Sequence, residues 1–151
     1  MNETETERST IALQVGAARR GVLAVRGGDS ATLLISGKDR IAWLNGLLTC
    51  DLANLSPGHA RYGLAVARNG RVLADATIVS DAPSARVFAA VPAATAAVLR
   101  AHLDHYLVME DVEIEEPSGG FETWTLHGPR SAEALEGARA AGATGGIVDR
   151  T

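Results

Sequence analysis

The chain has 151 residues, 46% of them hydrophobic and 21% charged, the balance of a soluble globular protein about one domain long. Eighteen acidic residues against fourteen basic ones give a formal net charge of -4, which excludes a general attraction to nucleic acid. A single cysteine, Cys50, excludes an internal disulfide and any multi-cysteine metal site within one chain, and no apolar run approaches the roughly 20 residues that span a bilayer. A reducing, cytoplasmic setting without membrane or nucleic-acid partners is expected.

The first 20 residues, opening with MNETETERST, are polar and read as a flexible tail ahead of one domain over 21–151. Two short apolar runs follow, Val22–Arg26 and Thr32–Ser36, and Gly27-Gly28-Asp29 between them gives a hairpin-like signal. From Asp39, the residues Ile41, Leu44, Leu48, Leu52 and Leu55 recur at three- and four-residue steps, which predicts one helix carrying an apolar stripe. Ser36 or Gly37 is its expected cap, and SPGH, Ser56 to His59, its stop. ARYGLAVA and RVLADATIVS read as two strands joined at Asn69-Gly70, a pair that tolerates positive φ.

Arg86 to Val91 is a further strand, and Pro92 opens a helix with Leu99, Leu103, Tyr106 and Leu107 on its apolar face. VEIEE and FETWTLH alternate as strands, and Gly128-Pro129 starts a last helix that Gly142 ends. Ile147 and Val148 look like the start of a strand with nothing after it. The pattern predicts an α+β fold of antiparallel sheets with helices packed on one face.

Chemistry is sparse. Neither G-x-x-x-x-G-K-[ST] nor G-x-G-x-x-G occurs, and GATGG near the end lacks the spacing of a phosphate loop. His102 and His105 stand three apart on a helix, where a solvated face is favoured over a metal site. His59 and His127 have no nucleophile beside them in a strained turn. Cys50 reads as a small buried hydrophobe rather than a reactive thiol. Asp75 stands out: alternation puts Val72, Ala74, Ala76 and Ile78 on one strand face and Leu73, Asp75, Thr77 and Val79 on the other. A carboxylate there either points to solvent or enters a pocket, and composition alone favours solvent.

The order of motifs carries a resemblance. G-x-D-R at Gly37–Arg40, L-x-G-L-x-T-x-D at Leu44–Asp51, Tyr62, N-G-R-V-x-x-D at Asn69–Asp75 and L-x-G-P at Leu126–Pro129 follow in that order. Together they resemble the tetrahydrofolate-binding aminomethyltransferase superfamily, which holds the T-protein of glycine cleavage and folate-binding proteins that support iron–sulfur cluster assembly and repair. The likeness runs from about Gly21 to Leu135 and covers the front half of such a protein.

The resemblance implies a ferredoxin-like half and a folate-binding domain, with tetrahydrofolate or a one-carbon derivative as cofactor. It gives Asp75 the catalytic place, meeting the pterin or its reactive nitrogen, and gives Tyr62, Asp75, Thr77 and Val79 the lining of the folate pocket. Glycine-cleavage enzymes carry two adjacent acids after this turn, and here the first is Ala74. That departure tilts the reading towards iron–sulfur support, by a chain that is not a complete enzyme alone. Aminomethyl transfer and a ligand-free interaction domain are the alternatives. The lysine-glycine-cysteine-tyrosine-type segment of the iron–sulfur branch is absent, as are the glutamate and arginine that complete its folate site. The expected partners are therefore folate, a missing C-terminal half or a second copy of the chain, and iron–sulfur client proteins.

Overall fold

The computed structural model describes residues 3–81, 85–117, 121–142 and 147–148. The elements run α1 (Glu3–Arg20), β1 (Leu23–Arg26), β2 (Ser30–Ser36), α2 (Arg40–Leu47), β3 (His59–Val66), β4 (Val72–Asp81), β5 (Arg86–Pro92), α3 (Ala93–His105), β6 (Glu113–Glu115), β7 (Trp124–His127), α4 (Ser131–Ala140) and β8 (Ile147–Val148). They fall into two compact units, residues 1–27 with 123–144 and residues 28–122 with 145–151. The α+β reading holds.

The larger unit is a six-stranded sheet in the order β6-β2-β5-β4-β3-β8. Neighbouring strands are antiparallel except β8, which lies parallel to β3. One face is the core. Leu33 and Ile35 of β2, Ala74, Ala76 and Ile78 of β4, and Val87, Ala89 and Val91 of β5 pack there with Trp43 and Leu44 of α2 and Leu99 and Leu103 of α3. Each fully buried leucine or isoleucine in such a layer contributes about 1.5–3 kcal/mol. Both helices serve this face because their apolar residues recur along one side.

α2 ends at Leu47, short of the single long helix expected from the leucine spacing. Leu48 is already extended, at φ −115° and ψ 156°, and forms an isolated bridge to Ala65. Leu48 and Leu52 are buried all the same, the latter with its backbone N–H donating to Asn45 Oδ1 at 2.7 Å. The stripe was right about burial and wrong about helix, because a side-chain tether and a strand contact replace the helical turns. The helix start differs too. Asp39 is the N-cap but makes no capping bond; its carboxylate accepts from the N–H of Asp111 at 2.9 Å instead.

β8 is paired rather than orphaned, His59 and Ala60 facing Ile147 and Val148. Further along the same side of β3, Thr49 N–H donates to Leu64 O at 3.0 Å, and Leu64 N–H donates to Thr49 Oγ1 at 2.9 Å. The outer side of β3 is thus partly covered.

The smaller unit holds α1, α4 and a two-stranded sheet of β1 and β7, running from Leu23 opposite His127 to Arg26 opposite Trp124. β1 and β2 therefore form no hairpin; each pairs elsewhere. The segment read as a flexible tail is an 18-residue helix. Its exposed Ile11, Leu13 and Val15 form no buried stripe, so periodicity gave no signal, although Glu, Arg, Ala and Gln all favour helix. Residues 143–146 of GATGG and the terminal Thr151 lie outside the described residues.

One glycine marks a close approach within the core layer. A Cβ on Gly63 would stand 2.5 Å from Cys50 Sγ and 3.0 Å from Cys50 Cβ. Gly63→Ala is expected to cost about 1–3 kcal/mol of stability. Cys50→Ala in the same chain should recover part of that loss. Denaturant melts of the single and double variants measure the coupling, and strictly additive losses would contradict the contact.

Candidate functional site

The β3–β4 connection sets the site. Gly70 sits at φ 81° and its N–H donates to Ala67 O at 2.8 Å, while Ala67 N–H donates to Arg71 O at 2.8 Å. This is a three-residue loop over 68–70 closing with a glycine in the left-handed region, not a two-residue turn at Asn69-Gly70. It pairs Val66 with Val72, but the next pair is Ala65 with Ala74. Leu73 is the extra residue of a β-bulge. Without it every later pair would slip by one, and Asp75 would share a face with the core.

With the bulge, Tyr62 stands opposite Thr77, Leu64 opposite Asp75, and Ala60 opposite Val79. The four residues proposed from sequence are therefore on one face, turned away from α2 and α3. Tyr62 is 54% exposed, while Asp75, Thr77 and Val79 are half-buried. The Tyr62 hydroxyl reaches diagonally across the ladder and donates to Asp75 Oδ2 at 3.2 Å. Partial desolvation first, then the charge of Asp75 and this hydrogen bond, raise the Tyr62 phenol above its ordinary value. Such a bond favours folding below the ordinary phenol range and is lost as pH rises through the folded-state value.

Sequence reasoning missed several members of this face. Leu64 lies directly across from Asp75, Ala90 across from Thr77 with Thr32 beyond it, and Phe88 across from Val79 with Leu34 beyond it. Only the pairing order of the strands identifies them, and no motif encodes that. Arg86 also alternates onto this face, its guanidinium carbon 5.9 Å from the Phe88 ring centroid. Arg61 alternates to the opposite face, and Arg68 and Arg71 are exposed beside the loop. A cleft at the β2 side of this sheet shares Thr32 with this face and is also lined by Ser30, Ala96, Glu116 and Phe121; neither Tyr62 nor Asp75 lines it. Tyr62 and Asp75 stand on the sheet surface, Tyr62 exposed and Asp75 half-buried.

Other candidates stay apart from it. Ala74 is 3% exposed in the core layer, so an acid at that position would enter the core and not the site. Cys50 lies against Gly63 on the core side, and burial pushes its thiol up, as fits a packing residue. His102 and His105 each meet the Tyr106 ring edge-on, at 5.1 and 4.9 Å between centroids. No group of three metal-ligating side chains gathers among the described residues. No described helix is long and apolar enough to cross a membrane.

Residues 4–143 match the family described as the GCVT N-terminal domain. The chain belongs to this family. Over 109 residues it is 28% identical to a mitochondrial aminomethyltransferase of Mesembryanthemum crystallinum, a match that covers 72% of this chain and 25% of that protein. The crystal structure of glycine cleavage system aminomethyltransferase T from Bartonella henselae superposes with a TM-score of 0.63 at 18% identity, over 84% of this chain and 34% of that one. At that identity the likeness is one of fold. The chain spans about a quarter of the length of the curated relative and about a third of the solved structure. Within this GCVT N-terminal domain, the motifs from Gly37 to Asp75 map onto α2, β3, the bulged hairpin and β4.

The histidine pair yields a titration test. Burial first, and then the charge of His105, hold the His102 imidazole below its ordinary value. A depressed imidazole favours folding above the ordinary range, an advantage lost as pH falls through the folded-state value. His105→Ala is expected to raise the His102 midpoint partway towards normal in an NMR titration of the ring protons. An unmoved midpoint would contradict the pairing.

Proposed function

We propose that this chain binds a reduced folate on the open face of its six-stranded sheet. The observation that carries the reading is the Tyr62–Asp75 pair, an exposed aromatic ring hydrogen-bonded to a carboxylate at 3.2 Å on a face flanked by Leu64, Thr77 and Val79. A reduced folate is a flat, partly apolar ring with N–H donors along one edge and carboxylates on its tail. An ionised carboxylate accepts hydrogen bonds only, so Asp75 suits the donor edge, while Tyr62, Leu64 and Val79 suit the ring. Arg86, farther along the face, has the planar fork that tail carboxylates favour. The reduced folate carries the one-carbon unit; the protein's part is to hold the ring and set its donor edge against Asp75.

The finer role, support of iron–sulfur cluster assembly or repair, rests on the resemblance of the motifs. Its sequence argument, the lone acid with Ala74 beside it, loses force because position 74 faces the core. Both named relatives are aminomethyltransferases, and this makes one-carbon transfer in glycine cleavage the second reading. There Asp75 would be the catalytic group at the folate nitrogen. A second copy of the chain is the proposed partner on the strength of the half-exposed apolar side chains of this face. A C-terminal half and iron–sulfur clients rest on the resemblance.

Calorimetric titration with 5-formyltetrahydrofolate tests the binding. Saturable heat is expected from the wild type, with affinity lower by about 10- to 100-fold in Asp75→Ala, the usual range for a lost charge-assisted hydrogen bond. Equal affinity in the two proteins, or no heat from a folded wild type, would sink the reading.

A further inference from the structure

Asp75 sits on the open face of β4, where nothing in the ladder itself fixes its side chain. Its cross-strand neighbour, Leu64, has no polar side-chain atom to hold it. The bond from Tyr62 arrives from the diagonal position instead, and it reaches one carboxylate oxygen, Oδ2. Among the described residues no other side chain or backbone group donates to Asp75. A half-buried carboxylate with a single donor on one oxygen is held in one rotation about its Cβ–Cγ bond, and its second oxygen keeps its lone pairs free.

We propose that Tyr62 is a positioning residue, whose hydroxyl holds the Asp75 carboxylate so that Oδ1, with both of its lone pairs free, is the oxygen turned to an N–H donor of the ligand. The inference rests on the folate reading for its ligand and adds a division of labour within the site. Tyr62 works twice: its ring offers apolar surface, and its hydroxyl sets the acceptor. The pairing selects for ligands that bring an N–H to Asp75, because an acceptor atom there would face an ionised oxygen. It also makes binding sensitive to the phenol proton. Once the phenol ionises, the bond is lost and a second negative charge stands beside the carboxylate, so affinity falls at alkaline pH.

Two measurements test the proposal on the full chain. The first needs no ligand. The sequence has two tyrosines, so Tyr106→Phe leaves Tyr62 as the sole phenol for an ultraviolet absorbance titration. The phenol should titrate above its ordinary value, and Asp75→Asn in that background should bring it down. The same midpoint in both proteins would overturn the pair itself.

The second measurement titrates 5-formyltetrahydrofolate into wild type and Tyr62→Phe across neutral to alkaline pH. Tyr62→Phe keeps the ring, so binding should persist but weaken by about 3- to 10-fold at neutral pH, the usual worth of holding one side chain in place. Wild-type affinity should drop as the phenol ionises, and the Tyr62→Phe profile should stay flat there. Equal affinity and parallel profiles would overturn the positioning role and leave the folate reading standing. A folded wild type that shows no binding would overturn the folate reading and this role with it, while the phenol titration would still report the pair.

Discussion

The site depends on one residue of register. A strand exposes alternate side chains to opposite faces, so a slip of one position exchanges the core face for the open face. In this chain the loop over 68–70 and the bulge at Leu73 act in opposition. The loop sets one pairing for Val66 and Val72, and the bulge restores the other from Ala65 and Ala74 onward. The result buries Ala74, Ala76 and Ile78 and turns Asp75, Thr77 and Val79 outward beside Tyr62. Burial of the alanine–isoleucine row and the aim of Asp75 are the same structural event. Stability of the core therefore enforces the geometry of the site.

That coupling gives the proposed folate face a fixed geometry. α2 and α3 occupy the core face, where Gly63 admits Cys50 and Trp43 Nε1 donates to Tyr106 O at 3.1 Å. On the opposite face Leu64, Asp75, Thr77 and Val79 stay partly exposed around Tyr62, while Ala60, Leu34 and Phe88 are buried, and the aromatic and the carboxylate are already bonded to each other. A rigid sheet lets such a wall be set before a ligand arrives, which lowers the ordering cost of binding. Membership of the GCVT N-terminal domain family fits a module of this kind, and the chain spans about a quarter of its curated relative.

Much of the larger unit was legible in the sequence. Strict alternation in RVLADATIVS revealed both faces of β4, and Pro92 marked the start of α3, where it stands as N-cap. What sequence could not give was pairing. The runs around Gly27-Gly28-Asp29 looked like a hairpin, yet β1 pairs with β7 and β2 with β5 and β6, because long-range partners decide such contacts. The leucine spacing after Asp39 followed burial beyond the end of α2, since Leu48 and Leu52 reach the core from non-helical chain. α1 was missed because its surface shows no stripe. The Asn-Gly signal located the hairpin but hid the bulge, and with it the reason that Tyr62 and Asp75 meet.

The face that takes the ligand is the central claim, and backbone amide NMR reads it residue by residue. On titration with 5-formyltetrahydrofolate, shift changes should centre on Tyr62, Leu64, Asp75, Thr77 and Val79 and extend to Ala90 and Phe88. The α3 positions Leu99 and Leu103, behind the sheet, should move least. Changes centred on α3 or on the cleft around Ser30 and Glu116, with the Tyr62–Asp75 row unmoved, would contradict the account.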